Sequence, residues 1–204
     1  MKILLLGDKG QLGKCLKDKL DKEKNYLITT SKEILDIVDF KKVEHFIKKI
    51  SPDVIINASA YTYVDQAEID YDYANLVNNI AVKNLASICR DNNIWLGHFS
   101  TDYVFEGNGS CPYKEDHETN PVGAYGKTKL HGEESIISSK CKYFIIRTSW
   151  VFSEYGKNFF KTMISLGTKK DIIEVVDDQI GCPTYAQDLA SASVKITLSI
   201  NEST

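Results

Sequence analysis

The first residues constrain this chain more than any other stretch. Residues 2–6 read Lys-Ile-Leu-Leu-Leu, a short continuous apolar run, as expected of a strand buried on both faces of a parallel sheet. The run passes directly into Gly7-Asp8-Lys9-Gly10-Gln11-Leu12-Gly13 and then into a helical pattern ending near Leu20. Glycines at 7, 10 and 13 permit a tight strand-to-helix turn and a close backbone approach to a pyrophosphate, while the unpaired N–H groups at the helix start attract an anion. The spacing is GxxGxxG, not the GxGxxG dinucleotide fingerprint, so the match to that template is imperfect. Three glycines in a turn can be mere punctuation. Their place after a strand favours a nucleotide site.

The same alternation continues. Strands are predicted at 26–30, 53–57, 94–99 and 142–147, with a weaker strand-like run at 172–176. Helical patterns fill 40–50, 71–90, the segment after Tyr125, and 185–200. Strands alternating with helices predict an α/β fold, a doubly wound parallel sheet of Rossmann type. Ligands of such sheets bind outside the carboxyl ends of the strands. At the end of the second strand, Thr29-Thr30-Ser31-Lys32 stands where an acidic ribose-reading residue is expected, about 20 residues beyond the glycines. Hydroxyls and a lysine suit a 2′-phosphate, which favours NADPH over NADH. The stretch Glu33-Ile34-Leu35-Asp36-Ile37-Val38-Asp39 could carry an acidic side chain to an adenine amino group, with Ile37 packing on the ring. Ala58-Ser59-Ala60-Tyr61-Thr62 follows the third strand, where small residues leave room for a cofactor or simply pack closely. Asn78 or Asn79 either supports the site or faces solvent.

Composition narrows the classes. The chain has 204 residues, 43% hydrophobic and 26% charged, ordinary for a soluble globular domain with a sizeable core. A net charge of −3 with mixed signs argues against a nucleic-acid or anionic-membrane surface. The longest apolar runs are only strand length, so no transmembrane helix or secretory signal is expected. Five cysteines (Cys15, Cys89, Cys111, Cys141 and Cys182) are scattered, without a CxxC or Cys/His cluster, which predicts reduced thiols in a cytoplasm and no metal centre.

The chemistry concentrates at 99–133. Ser100-Thr101-Asp102-Tyr103-Val104-Phe105 ends the fourth strand, and Tyr125-Gly126-Lys127-Thr128-Lys129 opens the next helix. A tyrosine and a lysine four apart share one helix face. A phenol titrates near pH 10, and an adjacent ammonium favours its ionised form, moving it toward general acid–base work. A hydroxyl at Ser100 or Thr101 could meet the same carbonyl oxygen. Together these groups suit the reduction of a ketone. Tyr-x-x-x-Lys alone is weak and is usually a solvated helix face; its context raises its value. Trp150, just beyond the fifth strand, could stack on a sugar or base, although core packing is the simpler role for a lone tryptophan.

The motifs together resemble the dTDP-4-dehydrorhamnose reductase family of extended short-chain dehydrogenases/reductases. The resemblance is carried by 7–13, Asn-Ala-Ser-Ala-Tyr-Thr-Tyr-Val-Asp-Gln-Ala-Glu at 57–68, Ser-Thr-Asp-Tyr-Val-Phe-Glu-Gly at 100–107, 121–133, Arg-Thr-Ser-Trp-Val-Phe at 147–152 and Val-Asp-Asp-Gln-Ile-Gly-Cys-Pro-Thr at 176–184. It implies an NAD(P)-binding domain over 1–150 and a partial substrate-binding region over 151–204, incomplete because family members continue beyond the last helix. It implies that Gly7, Gly10, Gln11, Leu12 and Gly13 hold the pyrophosphate. Thr30, Asp36 and Ile37 would serve the adenosine end, and Ala60, Tyr61 and Thr62 would line the cofactor. Thr101 would bind the sugar's 4-keto oxygen, with Asp102 and Trp150 at the sugar. Tyr125 would protonate that oxygen, and Lys129 would bind the nicotinamide ribose and lower the phenol's pKa. The implied reaction is NADPH-dependent reduction of dTDP-4-dehydro-L-rhamnose to dTDP-L-rhamnose, in polysaccharide biosynthesis. Alternatives are a reductase or epimerase on another nucleotide sugar, or a non-catalytic NADP-binding regulatory protein. The resemblance also allows a homodimer and a magnesium site late in the chain, for which no ligands can be placed.

Overall fold

The computed structural model describes residues 1–22 and 26–200. Five strands, β1 (Lys2–Leu6), β2 (Tyr26–Thr30), β3 (Val54–Asn57), β4 (Trp95–Thr101) and β5 (Lys142–Thr148), form one parallel sheet in the order β2-β1-β3-β4-β5. The order reverses between β1 and β3, so the ligand crevice opens at the carboxyl ends of those strands. Register brings Leu6 level with Thr30 and Asn57, Asn57 level with His98, and Thr101 level with Thr148.

Successive strand residues point to opposite faces, so each strand feeds two cores. Leu4, Leu6, Ile55 and Leu96 meet Val43 and Ile47 of α2 (Phe40–Ile50), Val82, Leu85 and Cys89 of α4 (Ala81–Asp91), and Ile136 of α5 (Ala124–Ser139). Ile3, Leu5, Val54 and Ile56 meet Cys15, Leu16 and Leu20 of α1 (Gln11–Leu20) and Leu189, Ala190 and Val194 of α7 (Ala186–Ser199). Fully burying one such leucine or isoleucine contributes roughly 1.5–3 kcal/mol, which is why continuous apolar strands demand cover on both sides. The caps agree with the sequence pattern. Asp39 accepts the Lys42 N–H at 3.1 Å to start α2, and Ser51 closes it in the left-handed conformation ahead of Pro52.

The amphipathic stretch at 71–90 is helical but not uniform. α3 (Tyr71–Asn75) runs through a π-helical turn (Leu76–Ile80) into α4. After β5, β6 (Val151–Phe152) pairs in parallel with β7 (Thr184–Tyr185), with α6 (Phe159–Gly167) between them. The run at 172–176 is not a strand: Ile172, Val175 and Val176 are exposed and join neither sheet among the described residues. Strand propensity reflects packing on a sheet surface, and no edge reaches this segment.

Candidate active site

The glycine turn is held by contacts that exclude side chains. Gly7 adopts φ +83°, and a Cβ there would lie 2.9 Å from the backbone of Ala58 and Ser59. A Cβ on Gly13 would lie 2.0 Å from the Gly7 carbonyl oxygen, so α1 can approach the turn only with glycine at this position. Gly10 caps α1 with no side-chain hydrogen bond, leaving the helix N–H groups without a side-chain partner. The Gln11 side chain turns the other way: its Oε1 accepts from Asn158 Nδ2 at 2.8 Å and Ser153 Oγ at 3.2 Å. Leu12 packs partly buried against the α1 core.

The adenosine-side candidates are placed unequally. Thr30 lies beneath the turn, its carbonyl accepting the Gly7 and Asp8 N–H groups at 2.8 and 3.2 Å and its hydroxyl buried without a partner. Lys32 is exposed; its ammonium donates to Tyr73 Oη at 2.8 Å and lies 3.8 Å from Asp36. Asp36 also accepts the Val38 N–H at 3.2 Å, whereas Ile37 is buried in the larger apolar cluster. Ala60 and Thr62 are exposed on the loop after β3, with Tyr61 half-buried between them.

Asn78, not Asn79, supports this loop. The π-helical turn aims its buried amide at Tyr61, accepting the Tyr61 N–H at 2.9 Å and donating to the Tyr61 carbonyl at 3.1 Å. The same amide donates to Thr128 Oγ1 at 3.2 Å, tying the loop to α5. Asn79 instead bonds Asn75 and Ser135.

Thr101, Tyr125 and Lys129 converge where β4 ends and α5 begins. Thr101 is buried, accepts the Tyr103 N–H at 3.2 Å and donates to Asp102 at 3.1 Å. Burial pushes the Tyr125 phenol up to about 12; the Thr101 hydroxyl hydrogen-bonded to it offsets part of the rise, and the Asp102 charge adds to it. Burial also raises the Asp102 carboxyl above its ordinary value. Lys129 is 2% exposed; its Nζ donates to the Phe99 carbonyl at 2.5 Å and lies 3.3 Å from His98 Nε2. Burial brings its ammonium down to about 8. The expected lowering of the phenol by the lysine is therefore not found in the protein alone. Burial dominates the shift, and the lysine's hydrogen bonds are turned toward β4.

The Tyr125 helix is anchored from two directions. Gly123 offers no side-chain cap, and Glu68 from the turn Asp65–Glu68 accepts the Ala124 N–H at 2.7 Å instead. At the other end Glu133, almost wholly buried, takes a two-pronged pair from Arg147 of β5 at 3.0 and 2.7 Å. Trp150 has φ +45°, an unusual conformation for a bulky residue and one that recurs at functional sites. Its ring is half-exposed against Gly181, where a Cβ would come within 2.7 Å. Thr184 N–H donates to the Trp150 carbonyl at 3.3 Å, so the 176–184 motif braces this residue. The sequence reading missed His98, Asn57 and Glu68, since nothing local distinguishes a strand histidine or a remote helix cap. Among the described residues no group of three or more His, Cys, Asp or Glu could hold a metal ion, so the magnesium site finds no ligand set there. None of the described helices is long and apolar enough to cross a membrane.

The family described as the RmlD substrate binding domain matches residues 1–204. A dTDP-4-dehydrorhamnose reductase of Salmonella typhimurium is 41% identical over 196 residues, which cover 95% of this chain and 66% of that protein. The chain thus spans just under two thirds of that relative's length. A crystal structure of a dTDP-4-dehydrorhamnose reductase from Clostridium acetobutylicum aligns with TM-score 0.95 at 42% identity, covering 98% of this chain and 71% of that one. The Bacillus anthracis dTDP-4-dehydrorhamnose reductase, solved in complex with NADP, aligns with TM-score 0.93 at 41% identity, covering 96% and 70%.

Proposed function

The chain belongs to the RmlD substrate binding domain family, and on that premise we propose that its site reduces the 4-keto group of a dTDP-linked 6-deoxy sugar, dTDP-4-dehydro-L-rhamnose, with NADPH. The observation that carries the reading is the meeting of Thr101, Tyr125 and Lys129 at the carboxyl end of β4. A nicotinamide dinucleotide fits the residues present. The turn around Gly7 and Gly13 has no room for side chains, α1 starts without a side-chain cap, and Asp8 Oδ1, Thr30 Oγ1 and Ser100 Oγ are buried without partners near the strand ends. When bound, that cofactor supplies the hydride.

This chain's own groups supply the rest. The N–H groups at the start of α1 and the turn at 7–13 hold the pyrophosphate; Asp36 and the loop at 60–62 border the adenosine end and the nicotinamide arm. Lys32 with Ser31 favours a 2′-phosphate, and so NADPH. Thr101 donates to the keto oxygen, and Tyr125 delivers the proton that the oxygen needs as it becomes a hydroxyl. A phenol held near 12 keeps at neutral pH the proton that is to be given, while efficient proton transfer needs it brought down toward the working pH when the site is loaded. Lys129, as an ammonium, replaces the lost proton and holds the ribose. Trp150 and Asp102 border the sugar, and residues 151–204 are read as the beginning of the substrate-binding region.

The test is nicotinamide oxidation, followed by absorbance, with the dTDP-4-keto-6-deoxy sugar on this chain and on Tyr125→Phe. Loss of a positioned general acid lowers the rate by about 10²–10⁴-fold. Unchanged turnover in Tyr125→Phe would sink the assignment. Cofactor binding without turnover in either protein would favour the regulatory alternative.

A further inference from the structure

Beneath the active site lies a buried polar chain that the proposed reaction does not use. Asn57 at the end of β3 and His98 of β4 are each 1% exposed, and Asn57 Nδ2 lies 3.3 Å from His98 Nδ1. The other face of the imidazole, Nε2, lies 3.3 Å from Lys129 Nζ. The amide's orientation is set from outside the pair, because Asn57 Oδ1 accepts the Ser59 N–H at 3.1 Å. With the oxygen so engaged, the amide presents its NH₂ to Nδ1, which must accept. A neutral ring that accepts at Nδ1 carries its proton on Nε2, aimed at the lysine. Such a proton fits a neutral amine and opposes an ammonium.

We propose that His98, held by Asn57, is a positioning residue that couples the charge of Lys129 to the loop after β3 through one hydrogen-bond chain of reversible polarity. With Lys129 neutral, Ser59 N–H is satisfied by Asn57, Asn57 donates to His98, and His98 donates to the amine. When Lys129 takes a proton from water it must donate to Nε2. The ring stays neutral with its hydrogen now on Nδ1, Asn57 turns to offer Oδ1 to that hydrogen, and Ser59 N–H loses its acceptor. Ser59 packs against Gly7, whose Cβ would lie 2.9 Å from that nitrogen. A ligand that accepts from Ser59 N–H beside the glycine turn therefore favours the charged lysine.

The surroundings leave this chain as the adjustable part. On α5, Glu133 favours the ammonium but is committed to Arg147 of β5, and Tyr125 stays protonated. From the end of β4, Asp102 bears on Tyr125, and from the π-helical turn the neutral Asn78 bonds Thr128. Burial together with the lysine charge holds His98 well below the ordinary histidine range, so the ring remains neutral while Lys129 titrates.

The role of Lys129 in ketone reduction rests on the reading above, but the test does not need turnover. Long-range ¹H–¹⁵N correlation of the four imidazoles, with His98 assigned by its loss in His98→Gln, reports the tautomer directly. Across a pH range bracketing about 8, the His98 nitrogens should exchange pyrrole-type and pyridine-type shifts, with Nε2–H at high pH and Nδ1–H at low pH. The exchange should vanish in Lys129→Met. One tautomer at every pH in the wild-type chain overturns the proposal, as does the same exchange persisting in Lys129→Met. If that variant does not fold, the wild-type record alone decides. A chain that binds cofactor without turning over gives the same spectra, which separates failure of this inference from failure of the proposed reaction.

Discussion

The proposed chemistry falls to single residues, and their spacing in the sequence is informative only when the chain keeps them on one element. Tyr125 and Lys129 are four apart on α5, so their juxtaposition follows from helix geometry. Their titration does not, because it depends on what β4 places against them. The lysine falls from 10.5 to about 8 on burial, so between those values the unfolded chain binds more protons than the folded one. Stability contributed by this group therefore rises as pH increases from about 8 toward 10.5. Buried thiols such as Cys89, raised by burial, act in the opposite sense above pH 9, so the difference between wild type and Lys129→Met isolates the lysine. Urea melts of both proteins should show the wild-type midpoint gaining on that of Lys129→Met between about pH 8 and 10.5, with a constant difference below that range; parallel curves throughout would refute it. Gly13→Ala tests the glycine turn. Its Cβ would meet backbone at 2.0 Å, and overpacking of this kind costs about 1–3 kcal/mol, read as a lower urea midpoint at unchanged slope.

At the scale of elements, the helix that bears Tyr125 depends on partners distant in sequence. Glu68 caps it from 56 residues upstream, and Arg147 of β5 pairs with Glu133 near its far end. Breaking a buried pair costs about 3–5 kcal/mol. Arg147 keeps 25% of its side chain in water, so Glu133→Ala should cost about 3 kcal/mol, measured by chemical denaturation. The π-helical turn is a second device of this kind. An extra residue per turn brings Asn78 under the loop after β3, and Asn78→Ala should leave the Tyr61 backbone groups unpaired at a cost of about 1–3 kcal/mol. The same change should weaken cofactor binding, and calorimetric titration with NADPH checks it. The amphipathic pattern made the helix at 71–90 readable, but a π turn leaves the apolar face almost unchanged and so escapes that reading. The run at 172–176 erred the other way, having strand composition without a sheet edge to join.

For the molecule as a whole, the strand order β2-β1-β3-β4-β5 gathers the glycine turn, the loop after β3 and the end of β4 along one rim. Gln11 binds Ser153 and Asn158 across more than 140 residues, so the turn is braced by the segment beyond β5. Cofactor binding at that rim should stabilise the whole domain. At NADPH one hundred times above its dissociation constant the expected gain is about 2.7 kcal/mol, seen as a raised denaturation midpoint. No shift would argue against a formed dinucleotide site. The alternation of strands and helices, the parallel sheet, and the shared helix face of Tyr125 and Lys129 were legible in the chain, because hydrophobic period, glycine punctuation and helix spacing are local properties. Packing alone reveals that Asn57 and His98 stand behind Lys129, that Asn78 rather than Asn79 props the loop, and that the phenol is held near 12. Those outcomes depend on strand register and desolvation, which arise when distant segments share a core.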